Sequence, residues 1–245
     1  MKNIILPIAV FSFLFSSISI LNVESQDNSS RYMTEYEYMD IKTIDPSEMV
    51  SPTENERAMM AYNIGTYLMR QNRLDEAENL LKEAIDLDPV FIDAIDHLGL
   101  VYRKQNRLDE AERNYLKSIE LNDKNRVPFL NLAVVYRLQG RLNDAFQLYR
   151  HVTQIYPDDP EGYYGIGEIF FIVGDNENAM TFIDKAINLY IGLNSLLVYD
   201  AFYYKGMLCY RMAEYDEALK YLEEARKGNP NNETLERTIN EIKNR

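Results

Sequence analysis

Tryptophan is absent from the chain, cysteine occurs once, histidine twice, and positive charge is scarce, with 26 Lys and Arg against 39 Asp and Glu. Each shortage closes a route. With Cys209 as the single cysteine, no intramolecular disulfide can form. His97 and His151 lie 54 residues apart, and neither belongs to a metal-spaced pair such as H-E-x-x-H. The formal net charge of −13 repels phosphate backbones and anionic lipid surfaces, which argues against nucleic acid as a partner and against a membrane-inserted main body. Glycine is sparse too, and Gly162, Gly165 and Gly167 do not have the spacing of a phosphate-binding G-x-G-x-x-G loop. Carboxylates are plentiful but unpatterned, as on a solvated face. No catalytic constellation emerges, and neither an enzyme activity nor a cofactor is expected.

What the chain does have is repetition. The run Gln-Asn-Arg-Leu-Asp-Glu-Ala-Glu occurs at Gln71 to Glu78 and again at Gln105 to Glu112, an offset of 34 residues. A unit of that length holds two short helices and a turn, which must stack on neighbouring units to bury their apolar stripes. Five units follow the frame, at 58–91, 92–125, 126–159, 160–193 and, after a five-residue insertion, 199–232. The eighth position reads Gly65, Gly99, Ala133, Gly167 and Gly206, and the twentieth is alanine in every unit, from Ala77 to Ala218. Large residues occupy the twenty-fourth: Leu81, Tyr115, Tyr149, Ile183 and Leu222. Large against small is how close-packed layers form. Cys209 sits at the eleventh, packing position, which reads as a small buried hydrophobe rather than a reactive thiol.

Helix punctuation fits this frame. Ser51-Pro52-Thr53-Glu54 offers a capping box for the first helix, and Asp88-Pro89 and Asp159-Pro160 offer cap-then-proline starts for the second and fourth units. Asn72, Asn106, Gly140 and Gly174, at the fifteenth position, suit the left-handed turn between two helices. Leu235, Ile239 and Ile242 share one face of a terminal segment, 233–245, read as a capping helix.

The small residues at positions eight and twenty, with Pro89, Pro157 and Pro230 at position thirty-two, resemble the tetratricopeptide repeat family over about seven tenths of the chain. The resemblance implies an all-α fold: an α-solenoid of five helix-turn-helix repeats in a right-handed superhelix, with a C-terminal capping helix, spanning 51–245. It also implies a role in binding other proteins along the wall formed by the first helix of each unit. On that wall the candidate residues are Tyr62, Leu100, Arg103, Leu130, Val134, Arg137, Tyr164, Phe171 and Tyr203. Tyrosine and large aliphatic residues suit an apolar peptide or helix, with Arg103 and Arg137 pairing to acids on it. The co-chaperone subtype, which clamps a terminal carboxylate, is excluded because Tyr62, Thr66, Leu100, Leu130 and Val134 stand where its lysines and asparagines would be.

Ahead of the repeats, Lys2 is followed by the apolar stretch Ile4 to Leu21. Residues 1–25 read as a secretory signal peptide or, uncleaved, as an N-terminal membrane anchor; either exports the repeats to a periplasm or the outer face of a bacterial cytoplasmic membrane. Residues 26–50 are acidic and unpatterned, a flexible spacer or a strap that folds along the first repeat or a partner. The insertion near Ile191 to Val198 is unusually apolar: it lengthens the adjoining helices and buries itself, or forms an exposed docking or dimer contact. The function expected is an exported scaffold in an envelope assembly, secretion or transport complex. Its rivals are an accessory protein binding a small ligand or transporter substrate, and a non-catalytic subunit of an enzyme complex.

Overall fold

A computed structural model describes residues 53–244. These residues form helices in sequential pairs and, among them, no strand. The first pair is α1 (Glu56–Arg70) and α2 (Leu74–Leu87), the second α3 (Ile92–Lys104) and α4 (Leu108–Leu121), the third α5 (Arg126–Leu138) and α6 (Leu142–Ile155). The fourth is α7 (Pro160–Val173) and α8 (Asn176–Gly192), the fifth α9 (Val198–Arg211) and α10 (Tyr215–Gly228), and α11 (Glu233–Lys243) closes the series. The expected signal or anchor and the spacer lie outside the described residues.

Each first helix stops where the frame places its turn. Asn72, Asn106, Gly140, Gly174 and Ala213 all have φ between 57° and 84°, the left-handed conformation. The chain then reverses through paired hydrogen bonds: Asn106 N–H donates to the Arg103 carbonyl at 3.0 Å and Arg107 N–H to that of Tyr102 at 2.8 Å. This closure satisfies carbonyls that the helix end would otherwise orphan. The following second helices α2 and α4 lack side-chain caps; their acidic first turns, Asp75-Glu76 and Asp109-Glu110, face the positive end of the helix dipole.

Packing inside a unit sets large against small. A Cβ added at Gly99 would lie 2.9 Å from Tyr115 Cε1, at Gly167 2.7 Å from Ile183 Cδ1, and at Gly206 2.7 Å from Leu222 Cγ. The eighth residue is therefore a notch for the twenty-fourth of its own unit. Gly162 and Gly165, which mimic part of a phosphate loop in sequence, are notches between units that receive Thr153 and the Tyr149 ring. At the far end, Leu235, Ile239 and Ile242 of α11 pack on Leu222 and Ala225. The cap thus buries its apolar stripe and leaves charged residues outside.

Two expected helix starts are corrected. The N-cap of α1 is Asn55, whose Oδ1 accepts from the N–H groups of Arg57 and Ala58, while Ser51 lies outside the described residues. Asn55 Nδ2 also donates to the Leu87 carbonyl at 3.0 Å, tying the start of α1 to the end of α2. Asp88 ends α2 instead of starting α3: its Oδ1 accepts from Val90 N–H at 3.2 Å in a turn that delivers Phe91 to the core. Only then does α3 begin, at Ile92. Asp159-Pro160 behaves as expected, with the Asp159 carboxylate accepting from Glu161 N–H at 2.8 Å. The insertion lengthens one of the two adjoining helices, α8, to 17 residues, while α9 keeps an ordinary length of 14. Burial holds for Leu197 at 4% exposure, whereas Ile191, Leu193 and Leu196 stay more than half exposed.

Consecutive first helices touch, α1 with α3, α3 with α5, α5 with α7 and α7 with α9, while consecutive second helices make no comparable contact. Helices on the inside of a curved stack must be the closer set. The first helices therefore line the inner wall.

Candidate partner-binding wall

The inner wall is built by repetition of one helix face, the second, fifth, ninth and twelfth positions of each unit. Tyr62, Leu100, Val134, Tyr164, Phe171 and Tyr203 are half-buried there, each offering part of its side chain to solvent. Leu130 departs from this pattern. It is 6% exposed and belongs to the core that includes Leu132 and Ala133, so of the two aliphatic candidates on α5 Val134 is the one that reaches the surface.

The two arginine candidates also diverge. Arg103 is half-buried and makes no ion pair among the described residues. Arg137 is already engaged, with Nε 3.5 Å from a Glu168 carboxylate oxygen in a pair whose side chains are 25% and 8% exposed. Burial works against the Arg137 cation, but the charge of Glu168 outweighs it and holds the guanidinium above its usual pKa. The expectation that Arg137 pairs with a partner's acid is corrected on this geometry: its carboxylate is internal.

Glu168 organises the middle of the wall. Besides Arg137 it accepts a 2.6 Å hydrogen bond from the Tyr204 hydroxyl, which links α5, α7 and α9. Tyr204 in turn packs edge-on against Tyr164, Phe171 and Tyr203, with ring centroids 5.7, 5.1 and 5.7 Å away. Three of the candidates are thereby gathered around one tyrosine. Arg211 lies over the Phe171 ring at 3.5 Å and donates to the Phe171 carbonyl at 2.7 Å, which anchors the last turn of α7 to α9. Glu161, 4% exposed, accepts from the Tyr190 hydroxyl at 2.5 Å. These buried carboxylates were read in sequence as solvated; they are internal acceptors. At the other end, the Tyr62 hydroxyl lies 3.4 Å from His97 Nδ1, and that nitrogen is 2.9 Å from the Asp93 carbonyl. His97 is thus part of the wall's packing, as His151 is through its ring contact with Phe129.

The repeated octapeptide proves to be a clasp between units. Gln105 and Arg107 of the second unit donate to Glu78 of the first, at 3.2 and 2.8 Å. Gln139 and Arg141 of the third do the same to Glu112 of the second, at 3.2 and 3.0 Å. Arg107 and Arg141 also lie 4.4 and 3.8 Å over the rings of Tyr102 and Tyr136. Desolvation opposes ionisation of Glu78 and Glu112, yet their hydrogen bonds and cationic neighbours outweigh it and hold both below the usual carboxylate range. The third and fourth units use rings instead: Phe146 meets Phe170 at 5.9 Å, and Phe170 stacks on Phe182 at 5.6 Å. A verbatim repeat of polar residues, beyond what packing requires, was the sequence signal for this clasp.

Cys209 is 3% exposed, and burial pushes its thiol up to about 11, which suits packing and not nucleophilic chemistry. Among the described residues no group of His, Cys, Asp and Glu is arranged to hold a metal, and no helix is long and apolar enough to cross a membrane.

Comparison with known proteins agrees with this architecture. Residues 49–156 match the family model described as the cilia and flagella-associated protein 70 middle TPR-like domain, and residues 160–190 and 200–232 match two tetratricopeptide repeat models. No curated protein sequence matches the chain. Among solved structures, the APC/C hetero-tetramer Cut9-Hcn1 superposes with a TM-score of 0.71 at 17% identity, over 87% of this chain and 39% of that one. This chain therefore spans well under half of that protein's length. A thermophilic TPR protein of Thermus thermophilus superposes with a TM-score of 0.62 at 17% identity, over 77% of this chain and all of its own. The Pseudomonas aeruginosa pilF structure gives 0.64 at 18% identity, over 76% and 89%.

Proposed function

From the premise that the chain belongs to the tetratricopeptide repeat family, whose repeats make protein–protein interaction scaffolds, we propose that its inner wall binds an apolar peptide or helix of another protein. The observation that carries this reading is the row of half-buried residues on the same face of successive first helices, at the fifth position in Tyr62, Tyr164 and Tyr203 and at the ninth in Leu100 and Val134. Partly exposed aromatic and aliphatic groups on a rigid wall gain by covering, and tyrosine adds a hydroxyl for orientation. Arg103 is the cation available to an acidic group on the bound segment, and Phe171 completes the aromatic end. The protein acts as a scaffold and not as a catalyst, as repeat proteins of this family generally do. We place it outside the cytoplasm, in a bacterial envelope complex for assembly, secretion or transport, on the strength of the apolar stretch Ile4 to Leu21 behind Lys2.

The test is capture of crosslinked partners in the native envelope by the parent chain and by a Leu100→Glu, Val134→Glu variant. Both substitutions fall on half-buried positions, so the helices should persist, which circular dichroism checks. Loss of specific partners supports the wall as the binding face; an unchanged set of captured proteins removes it. Fractionation of the native cells tests the location, and recovery of the chain with cytoplasmic proteins would refute export.

A further inference from the structure

The edge of the stack formed by the turns within units changes character between its two ends. At the fourteenth and sixteenth positions the second and third units carry Gln105 and Arg107, Gln139 and Arg141, all committed to clasping the preceding unit. The same positions of the fourth and fifth units read Val173 and Asp175, then Met212 and Glu214. Glutamine has become apolar and arginine acidic, in both units. No clasp forms there, because the acceptors Glu78 and Glu112 are replaced by Phe146 and Met180.

Val173 and Met212 are consequently bare, 59% and 45% exposed, and Ile172 beside them is 49% exposed. The last turns of α7 and α9, which they flank, adjoin, since Arg211, an exposed cation held over the Phe171 ring, donates to the Phe171 carbonyl. The turns and first helical turns that follow carry Glu177, Glu214 and Asp216, exposed and without an ion pair among the described residues, while Asp175 caps α8. An apolar strip rimmed by unneutralised carboxylates has a definite complement. We propose that this edge of the fourth and fifth units is a second docking surface, separate from the inner wall, for a cationic amphipathic segment of a partner protein, with aliphatic residues on Ile172, Val173 and Met212 and lysine or arginine on the surrounding acids.

A fluorescent helical peptide with leucine on one face and lysine on the other serves as the probe, and its glutamate-for-lysine counterpart as the control. The full-length chain should bind the lysine peptide, less tightly as salt rises, and the glutamate peptide at least tenfold more weakly. The variant Val173→Gln, Met212→Gln, Glu177→Lys, Glu214→Lys, which spares the Asp175 cap, should lose at least tenfold in affinity. A charge-matched variant elsewhere, Asp86→Lys with Glu120→Lys, should stay within twofold of the parent, which separates this surface from general attraction to an acidic protein. Equal loss in both variants, no loss in the edge variant, or equal binding of the two peptides overturns the proposal. Far-ultraviolet circular dichroism and melting of the edge variant confirm that the repeats persist, so that a loss reports the surface.

Discussion

Ala213→Gly should stabilise the protein, because glycine is the residue best suited to the left-handed end of a helix. Ala213 sits at the fifteenth position of the fifth unit with φ 61°, where Gly140 and Gly174 sit in the third and fourth. Its N–H donates to the Tyr210 carbonyl at 3.1 Å and the next N–H, of Glu214, to that of Cys209 at 2.9 Å, so the turn has the same closure as the others. The left-handed conformation costs an L-residue about 1–2 kcal/mol. Glycine removes that strain but adds unfolded-chain entropy worth about 0.4–1 kcal/mol. The net gain lies in the range of about 0–1.6 kcal/mol, centred at about 0.8 kcal/mol. For a domain of this size the central value is a rise in Tm of roughly 1–4 °C. Urea unfolding followed by far-ultraviolet circular dichroism, with the slope unchanged and the midpoint raised, is the assay. A midpoint below the parent's would mean that the backbone at Ala213 is not held in the left-handed region, and the closure described for the fifth unit would be wrong.

Other consequences follow from the packing and the clasps. Gly99→Leu should cost about 1–3 kcal/mol in a urea melt, because even a Cβ meets the Tyr115 ring at 2.9 Å. Asp159→Ala removes the cap of α7 and the ion-pair partner of Arg126, and should cost about 0.5–2 kcal/mol from the cap alone, read by the same assay. Glu78 and Glu112 have depressed pKa values in the folded state, so their contribution is present above the unfolded carboxylate pKa and lost as pH falls through the lower folded value. Melting temperature should therefore drop on acidification below about pH 4, and Glu112→Gln with Glu78→Gln should flatten that drop while lowering stability at neutral pH.

Much of the fold was legible because repetition prints the same physical demand several times. A notch for Leu81, Tyr115, Ile183 or Leu222 requires glycine or another small residue at a fixed distance along the chain, and the sequence obeys it in each unit. Turns were legible at Asn72, Asn106, Gly140 and Gly174, and missed at Ala213, whose side chain gives no sign of a positive φ. The caps at Ser51 and Asp88 misled because an aspartate or serine before proline suits a turn as well as a helix start, and only burial of Phe91 decides that α3 waits until Ile92. On the wall, spacing placed nine residues on one helical face but could not tell its rim from its base. Leu130 is buried at the same fifth position where Tyr62, Tyr164 and Tyr203 are half-exposed, and Arg137 found Glu168, 31 residues away, which no local pattern reveals.

The inner wall as the docking face is tested most directly by site-specific photocrosslinking in the native cells, with the photoreactive residue placed either at Val134, on the first-helix side, or at Leu116, exposed on the second helix α4. The expected result is a discrete crosslinked protein from Val134 and none of that mass from Leu116. A partner captured at Leu116 and not at Val134 would put recognition on the outer helices and contradict the wall.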